Sequence, residues 1–258
     1  MSKLDERGVM MSNMGYVHSI ETFGNVDGPG IRFILFLQGC TLRCKYCHNR
    51  DSWKLNTGKE MTVDDVMAEI LKYREFFDAS GGGITVSGGE PLIQLPFLIA
   101  LFKACKSHNI HTNIDTSGGI RLTNKTTPLM RELLTYTDLV MFDVKLMDPK
   151  GHQELIGIPN DPILALGRFI ATSQTPLWIR RVIVPGLTDS EKDLKATATY
   201  IKELNQLGTV EKIEVLPYHP MGEHKWAELG FEYPLKGQRA PTKEEVTKAE
   251  DILKAGLE

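Results

Sequence analysis

The chain has 258 residues, enough for one large α/β domain or two small ones, and its 41% hydrophobic and 24% charged residues are ordinary for a globular protein. Its net charge of −3, with no basic stripe carrying interleaved aromatics, gives no support to nucleic acid as a partner. The longest apolar runs, such as residues 31–37, are far too short to cross a bilayer, so no membrane partner is expected.

Residues 1–15 lack an apolar core of signal-peptide length and read as a flexible N-terminal extension, leaving 16–258 as a single domain. Residues 31–37 are apolar, β-branched and aromatic and end at Gly39, the pattern of a buried strand. Thr62 can cap a helix whose first turn carries Asp64 and Asp65, with Val66, Met67, Ile70, Leu71 and Phe77 at helical spacing up to the glycines at 81–83. A second strand at 84–86 precedes a helix at about 95–107. A third strand at 111–115 precedes a short helix at 127–134. A fourth strand covers 139–144, followed by a helix at 162–172. The fifth, at 177–184, is stopped by Pro185-Gly186, and Asp189 opens a helix to about 207. The sixth, at 212–216, ends at Pro217. Thr242-Lys243-Glu244-Glu245 then forms a capping-box signature ahead of a last helix.

Six strands separated by helices imply parallel pairing with right-handed crossovers. A closed barrel of this type needs eight units. The expectation is therefore a partial (β/α)6 barrel, an open TIM-like fold with a lateral cleft.

Three of the four cysteines lie within eight residues, as Cys40-Thr41-Leu42-Arg43-Cys44-Lys45-Tyr46-Cys47. This C-x3-C-x2-C spacing offers three thiolates to one centre. Iron–sulfur clusters are normally held by four cysteines, so three leave one iron open to a substrate. The competing reading is structural zinc with His48 as fourth ligand. Such sites usually pair two ligand knuckles across a longer loop, and His48 directly after Cys47 makes tetrahedral closure awkward. A disulfide framework fits less well, because four cysteines in a chain of this length suit a reducing compartment. Cys105 sits in a periodic apolar stretch and reads as a buried helix residue.

In parallel α/β barrels the C-terminal strand ends face the active site. Here those ends lead to the cysteine loop, Ser87-Gly88-Gly89-Glu90-Pro91, Asp115-Thr116-Ser117-Gly118, Asp143-Val144-Lys145, Arg180 and Tyr218-His219. A Gly-Gly turn lets backbone approach an amino group closely. Lys145 and Arg180 are natural counter-charges for a carboxylate. Asp115 and Asp143 could accept from hydroxyls, bind a cation or steer a substrate.

These residues resemble the radical S-adenosylmethionine enzymes, whose signature is C-x3-C-x2-C with an aromatic, here Tyr46, before the last cysteine. Val26-Asp27-Gly28-Pro29-Gly30-Ile31-Arg32, Phe36-Leu37-Gln38-Gly39-Cys40 and Cys47-His48-Asn49-Arg50 narrow the resemblance to glycyl-radical-enzyme activases. Ser80-Gly81-Gly82-Gly83, Met141-Phe142-Asp143-Val144-Lys145, Trp178-Ile179-Arg180 and Leu216-Pro217-Tyr218-His219 are similar to the activases of pyruvate formate-lyase. The resemblance spans about residues 16–235. No cysteine lies between His48 and Ser87, which implies a single cluster.

The resemblance implies that Cys40, Cys44 and Cys47 ligate a [4Fe–4S] cluster, with S-adenosylmethionine on its open iron. It implies that Tyr46, His48 and His219 contact the adenine side, and that Gly88, Gly89 and Glu90 hold the methionyl amino group. Asp143, Val144 and Lys145 would line the ribose and carboxylate side. A monovalent cation (Na+ or K+) would sit at Asp115, Thr116, Met141 and Asp143. Asp27 would meet the substrate's glycine loop, and Arg180 either that loop or the cofactor. The implied reaction is reductive cleavage of S-adenosylmethionine to methionine and a 5′-deoxyadenosyl radical, which takes hydrogen from a backbone glycine of pyruvate formate-lyase. Reduced flavodoxin or ferredoxin would supply the electron, in the cytoplasm, to a monomeric activase. Relative to this family the chain ends soon after its last helix, and residues 1–15 match nothing in it.

Overall fold

A computed structural model describes residues 13–257 and, before them, the backbone of residues 3–4 and 10–11. Those two pieces, β1 (Lys3–Leu4) and β2 (Met10–Met11), pair antiparallel as a separate two-stranded sheet. The rest of the expected extension up to residue 12 lies outside the described residues. Met14 already begins β3 (Met14–Gly24), which the sequence reading did not anticipate.

The main sheet continues with β4 (Arg32–Leu37), β5 (Lys59–Thr62), β6 (Gly83–Gly88), β7 (His111–Thr116), β8 (Leu139–Asp143), β9 (Leu177–Ile183) and β10 (Val210–Pro217). Its order is β10-β9-β8-β7-β6-β4-β3-β5. The six expected strands are the parallel ones, β4, β6, β7, β8, β9 and β10. β3 and β5 extend the sheet antiparallel beyond β4, and β10 stays an edge, so the barrel is open. Phe33, Ile34, Leu35 and Leu37 of β4 are all buried, as expected for a parallel strand covered on both faces. Each such side chain contributes about 1.5–3 kcal/mol through burial.

The helices are α1 (Val63–Ile70), α2 (Arg74–Ser80), α3 (Leu95–Ser107), α4 (Thr126–Leu134), α5 (Pro149–Ile156), α6 (Asp161–Thr172), α7 (Glu191–Leu207), α8 (Glu223–Glu228) and α9 (Lys243–Lys254). Thr62 caps α1 in a full capping box with Asp65, and Thr242 does the same for α9 with Glu245. The single helix expected from 63 to the glycines is two: residues Leu71–Tyr73 tighten into a 3-10 turn, and Leu71 is exposed. Ser190, not Asp189, caps α7; the Asp189 carboxylate instead accepts from Gly186 N at 2.8 Å and fixes the preceding turn. Cys105 is fully buried on α3, with its Sγ 3.6 Å from Met67 Sδ.

β9 shows how the sheet sorts charge. Alternation along a strand sends Arg180 to one face and Arg181 to the other. Arg181 is fully buried and paired with Asp193 of α7 at 2.7 Å, a contact that fastens a helix to the barrel. Arg180 points with Trp178 and Val182 to the inner face.

Candidate active site

The cysteine loop leaves the C-terminal end of β4 and is held from three directions. Cys40 N donates to Trp53 O at 3.3 Å, Arg43 N to Ile156 O at 2.8 Å, and Lys45 N to Leu155 O at 2.9 Å. The last two contacts lean the loop on the end of α5, a helix the sequence reading missed despite Asp148-Pro149, a cap followed by proline at its first turn. Cys47 N closes the loop on Cys44 O at 3.1 Å. The result is a cavity of about 450 Å³ into which Cys40, Cys44 and Cys47 all open.

Across the cavity stand Gly88 and Gly89, Asp115, Asp143, Lys145 and Arg180. Gly88 has φ +116°, and a Cβ on Gly89 would lie 2.2 Å from Gly39 O. Only glycine permits this bare main-chain surface. Lys145 Nζ lies 2.9 Å from Asp143 Oδ2, and Arg180 bridges Asp115 at 3.2 Å and Glu214 at 3.3 Å. Ser87 Oγ donates to Asp115 and Ser117 Oγ to Asp143. Burial raises the Asp115 carboxyl above its ordinary value, with Arg180 opposing. Burial would raise Asp143 too, but Lys145 and Arg180 hold it below the usual range. Burial would lower Lys145, but Asp143, with Tyr46 and Cys44, raises it well above its ordinary value.

The thiols have no such partners. Burial pushes Cys44 up to about 12 and raises Cys40 and Cys47 as well. For Cys47 the rise is opposed by Trp53, whose Nε1 donates to Cys47 Sγ at 3.2 Å. Trp226 Nε1 donates to Cys47 O at 3.0 Å and packs edge-on against Trp53. Neither tryptophan was singled out from the sequence, although Trp53 lies only six residues after Cys47.

Most of the expected site residues converge here, and some do not. Tyr46, His48, Thr116 and His219 line the cavity with those already named. The His48 and His219 rings lie 4.3 Å apart, and His48 Nε2 is 2.9 Å from His219 O. Burial lowers the His48 pKa. Glu90 is fully buried and turned away: its carboxylate accepts from Thr116 Oγ1 at 2.5 Å, Gly119 N at 2.9 Å, Leu92 N at 3.1 Å and Ser117 N at 3.2 Å. Its side chain shapes the loop after β7 and does not reach the cavity. Val144 and Met141 are core residues, with Met141 Sδ 3.0 Å from Asn113 Nδ2. Asp27 lies outside the cavity lining. Its carbonyl accepts from Thr85 Oγ1 at 2.6 Å and Asn113 Nδ2 at 3.0 Å, pinning the loop before β4 across the inner strands, and burial followed by Asp115 raises its carboxyl.

Three converging cysteines beside a glycine main-chain cradle and balanced charges suit a three-thiolate cluster and a zwitterionic ligand. On an open parallel barrel, they define a radical S-adenosylmethionine enzyme. Residues 26–157 match the family described as "4Fe-4S single cluster domain". The chain is 47% identical over 243 residues to pyruvate formate-lyase 1-activating enzyme of Escherichia coli strain K12, covering 94% of this chain and 96% of that one. It is 49% identical to pyruvate formate-lyase-activating enzyme of Staphylococcus epidermidis, covering 91% and 93%. A crystal structure of a domain of pyruvate-formate lyase-activating enzyme from Bacteroides vulgatus superposes with a TM-score of 0.55 at 30% identity, over 68% of this chain and 95% of that one. Streptococcus suis SuiB bound to S-adenosylmethionine shares the fold, with a TM-score of 0.53 at 20% identity over 69% and 38%. The chain belongs to the pyruvate formate-lyase activating enzyme family.

Proposed function

We propose that this cavity activates pyruvate formate-lyase by placing a radical on one of its backbone glycines. The observation that carries the reading is the convergence of Cys40, Cys44 and Cys47 on the same cavity as Gly88-Gly89 and the Asp115, Asp143, Lys145 and Arg180 charges. The three cysteines would hold the [4Fe–4S] cluster and the fourth iron position would take S-adenosylmethionine. Together these groups supply, when bound, a one-electron cleavage that yields methionine and a hydrogen-abstracting 5′-deoxyadenosyl radical.

The protein's share is placement and exclusion. The cysteines must lose their protons to bind iron, and burial opposes that loss in the free chain, so cluster loading is coupled to proton release. Gly88 and Gly89 pack their main chain against Leu37 and Gly39 more closely than any Cβ allows, and so hold backbone groups at the cavity wall for an amino group. Lys145 and Arg180 offer cations to a carboxylate, each already oriented by an acid. The His48–His219 ring pair offers aromatic faces to a purine. Glu90 acts one step removed, as a positioning residue that fixes Thr116 and Ser117. Asp27, on the pinned loop before β4, would serve the glycine segment of the protein substrate. A monovalent cation at Asp115, Thr116, Met141 and Asp143 would compete with Arg180 and Lys145 for the two acids, and of the four residues Met141 is buried away from the cavity lining.

A low-potential flavodoxin or ferredoxin suits the electron input, a monomer suits the open barrel, and the cytoplasm suits free thiols; among the described residues no helix is long and apolar enough to cross a membrane. Anaerobic reconstitution with iron and sulfide, followed by reductant, S-adenosylmethionine and pyruvate formate-lyase, tests the reading. A glycyl doublet in the electron paramagnetic resonance spectrum is expected. 5′-Deoxyadenosine without that doublet would keep the chemistry and reject the partner.

A further inference from the structure

A second concavity lies behind the cysteine loop, and one side chain separates it from the first. It is lined by Arg43, Arg50, Asp51, Trp53, Lys54 and Phe231 among others, and Trp53 borders both cavities. The indole meets the inner cavity through its N–H on Cys47 Sγ, 3.2 Å away. On its other side the Arg50 guanidinium stacks 4.1 Å from the ring centroid and Arg43 4.8 Å. Trp53 is itself buried, so from this side Cys47 is reached through the indole and the guanidinium groups stacked on it.

The outer face is basic on a chain whose net charge is −3. Among the described residues, no carboxylate pairs with Arg43, Arg50 or Lys54. The single acid of the pocket, Asp51, is held by His18 at 2.9 Å and Lys225 at 3.2 Å. Arg50 Nε is buried without a hydrogen-bond partner. Two exposed apolar side chains of the same concavity, Leu229 at 45% and Phe231 at 49%, lie beside these cations. Arg43 donates to Cys40 O and Leu42 O and Arg50 lies against Trp53 and Phe231, so these cations are held in place without being neutralised by an acid. Beside exposed apolar groups they form a surface complementary to an acidic protein, where charge steers encounter and apolar contact holds it.

We propose that this face is the docking surface for an acidic one-electron carrier protein, with Trp53 and the arginines stacked on it lying between the carrier and Cys47. The proposal rests on the activase reading above. In the transfer the carrier would lose one electron and a cluster held by Cys40, Cys44 and Cys47 would gain it, passing from its 2+ to its 1+ state. No bond is made or broken on this chain. Separate faces for carrier and protein substrate allow the cluster to be reduced while the substrate loop occupies the cavity mouth.

The test uses the reconstituted holoenzyme and follows 5′-deoxyadenosine formation with two reductants, purified reduced flavodoxin and dithionite. Lys54→Glu is expected to raise the flavodoxin concentration for half-maximal rate on the order of tenfold and to flatten its salt dependence. The dithionite-driven rate and the KM for pyruvate formate-lyase should stay at wild-type values. Arg50→Met, which keeps bulk on the indole without charge, should act in the same direction. Unchanged flavodoxin dependence in both variants would overturn the proposal. So would a raised KM for pyruvate formate-lyase with flavodoxin unaffected, which would assign the face to the protein substrate. Failure of the wild type even with dithionite would reject the activase reading and this surface with it.

Discussion

The two walls of the active-site cavity are built on opposite plans. The wall made by the ends of β7, β8 and β9 is complete in itself. Its acids and bases are paired within 3.3 Å, two serine hydroxyls satisfy the carboxylates, and its charges sum to near neutrality. The wall made by the loop after β4 is incomplete. Its three thiols, two of them buried, are raised in pKa, and the side-chain donor they meet among the described residues is the Trp53 indole N–H on Cys47. The difference shows which wall exists to be finished by an inorganic group and which is preorganised to receive an organic one.

The comparison breaks most completely at Cys44. Cys44→Ala is expected to lose the cluster and reduce 5′-deoxyadenosine formation to background, while the thermal unfolding midpoint moves by only a few degrees; iron content, product assay and calorimetry check the three parts. The ionic wall should fail differently. Asp143→Asn leaves Lys145 buried without its carboxylate and should cost about 3 kcal/mol in denaturant unfolding, with weaker S-adenosylmethionine binding by calorimetry. Because the fold lowers the Asp143 pKa, its contribution is present above the ordinary value of 3.8 and lost as pH falls below that through the folded value. Wild-type and Asp143→Asn stability curves should therefore converge in strong acid, and curves that stay parallel would count against the pair.

A finer probe is Trp53→Phe. A hydrogen bond to a ligating sulfur favours the more negative, reduced state, so its loss should lower the cluster potential by roughly tens of millivolts, read by redox titration. Least of all should follow from Cys105→Ala, which touches neither wall. It should cost about 1 kcal/mol of stability and leave iron content and activity unchanged.

The parallel strands were legible because strands buried on both faces write themselves as apolar, β-branched runs, and the site was legible because parallel topology puts every strand's C-terminal end on one side. β3 was not, because its eleven residues mix His18, Ser19, Glu21 and Thr22 with apolar positions and only part of one face is buried. The break at Leu71–Tyr73 carries no glycine or proline to announce it. Glu90 misled for another reason. The resemblance grouped it with Gly88 and Gly89 as one binding unit, yet the glycines line the cavity while the carboxylate turns into the loop after β7. Arg180 and Arg181 teach the same lesson: neighbours in a strand face opposite ways, and only one of the two belongs to the site.

An unclosed barrel also leaves β10 as a free sheet edge, and a bare edge is a template on which other chains can add strands. Here that edge carries Glu211, Lys212 and Glu214, with an ion pair between the last two at 2.7 Å, and it stops at Pro217, which has no N–H to donate. The same opening that can admit a folded protein's loop is thereby a poor seed for self-assembly, so a molecule can keep its flank ajar without polymerising through it.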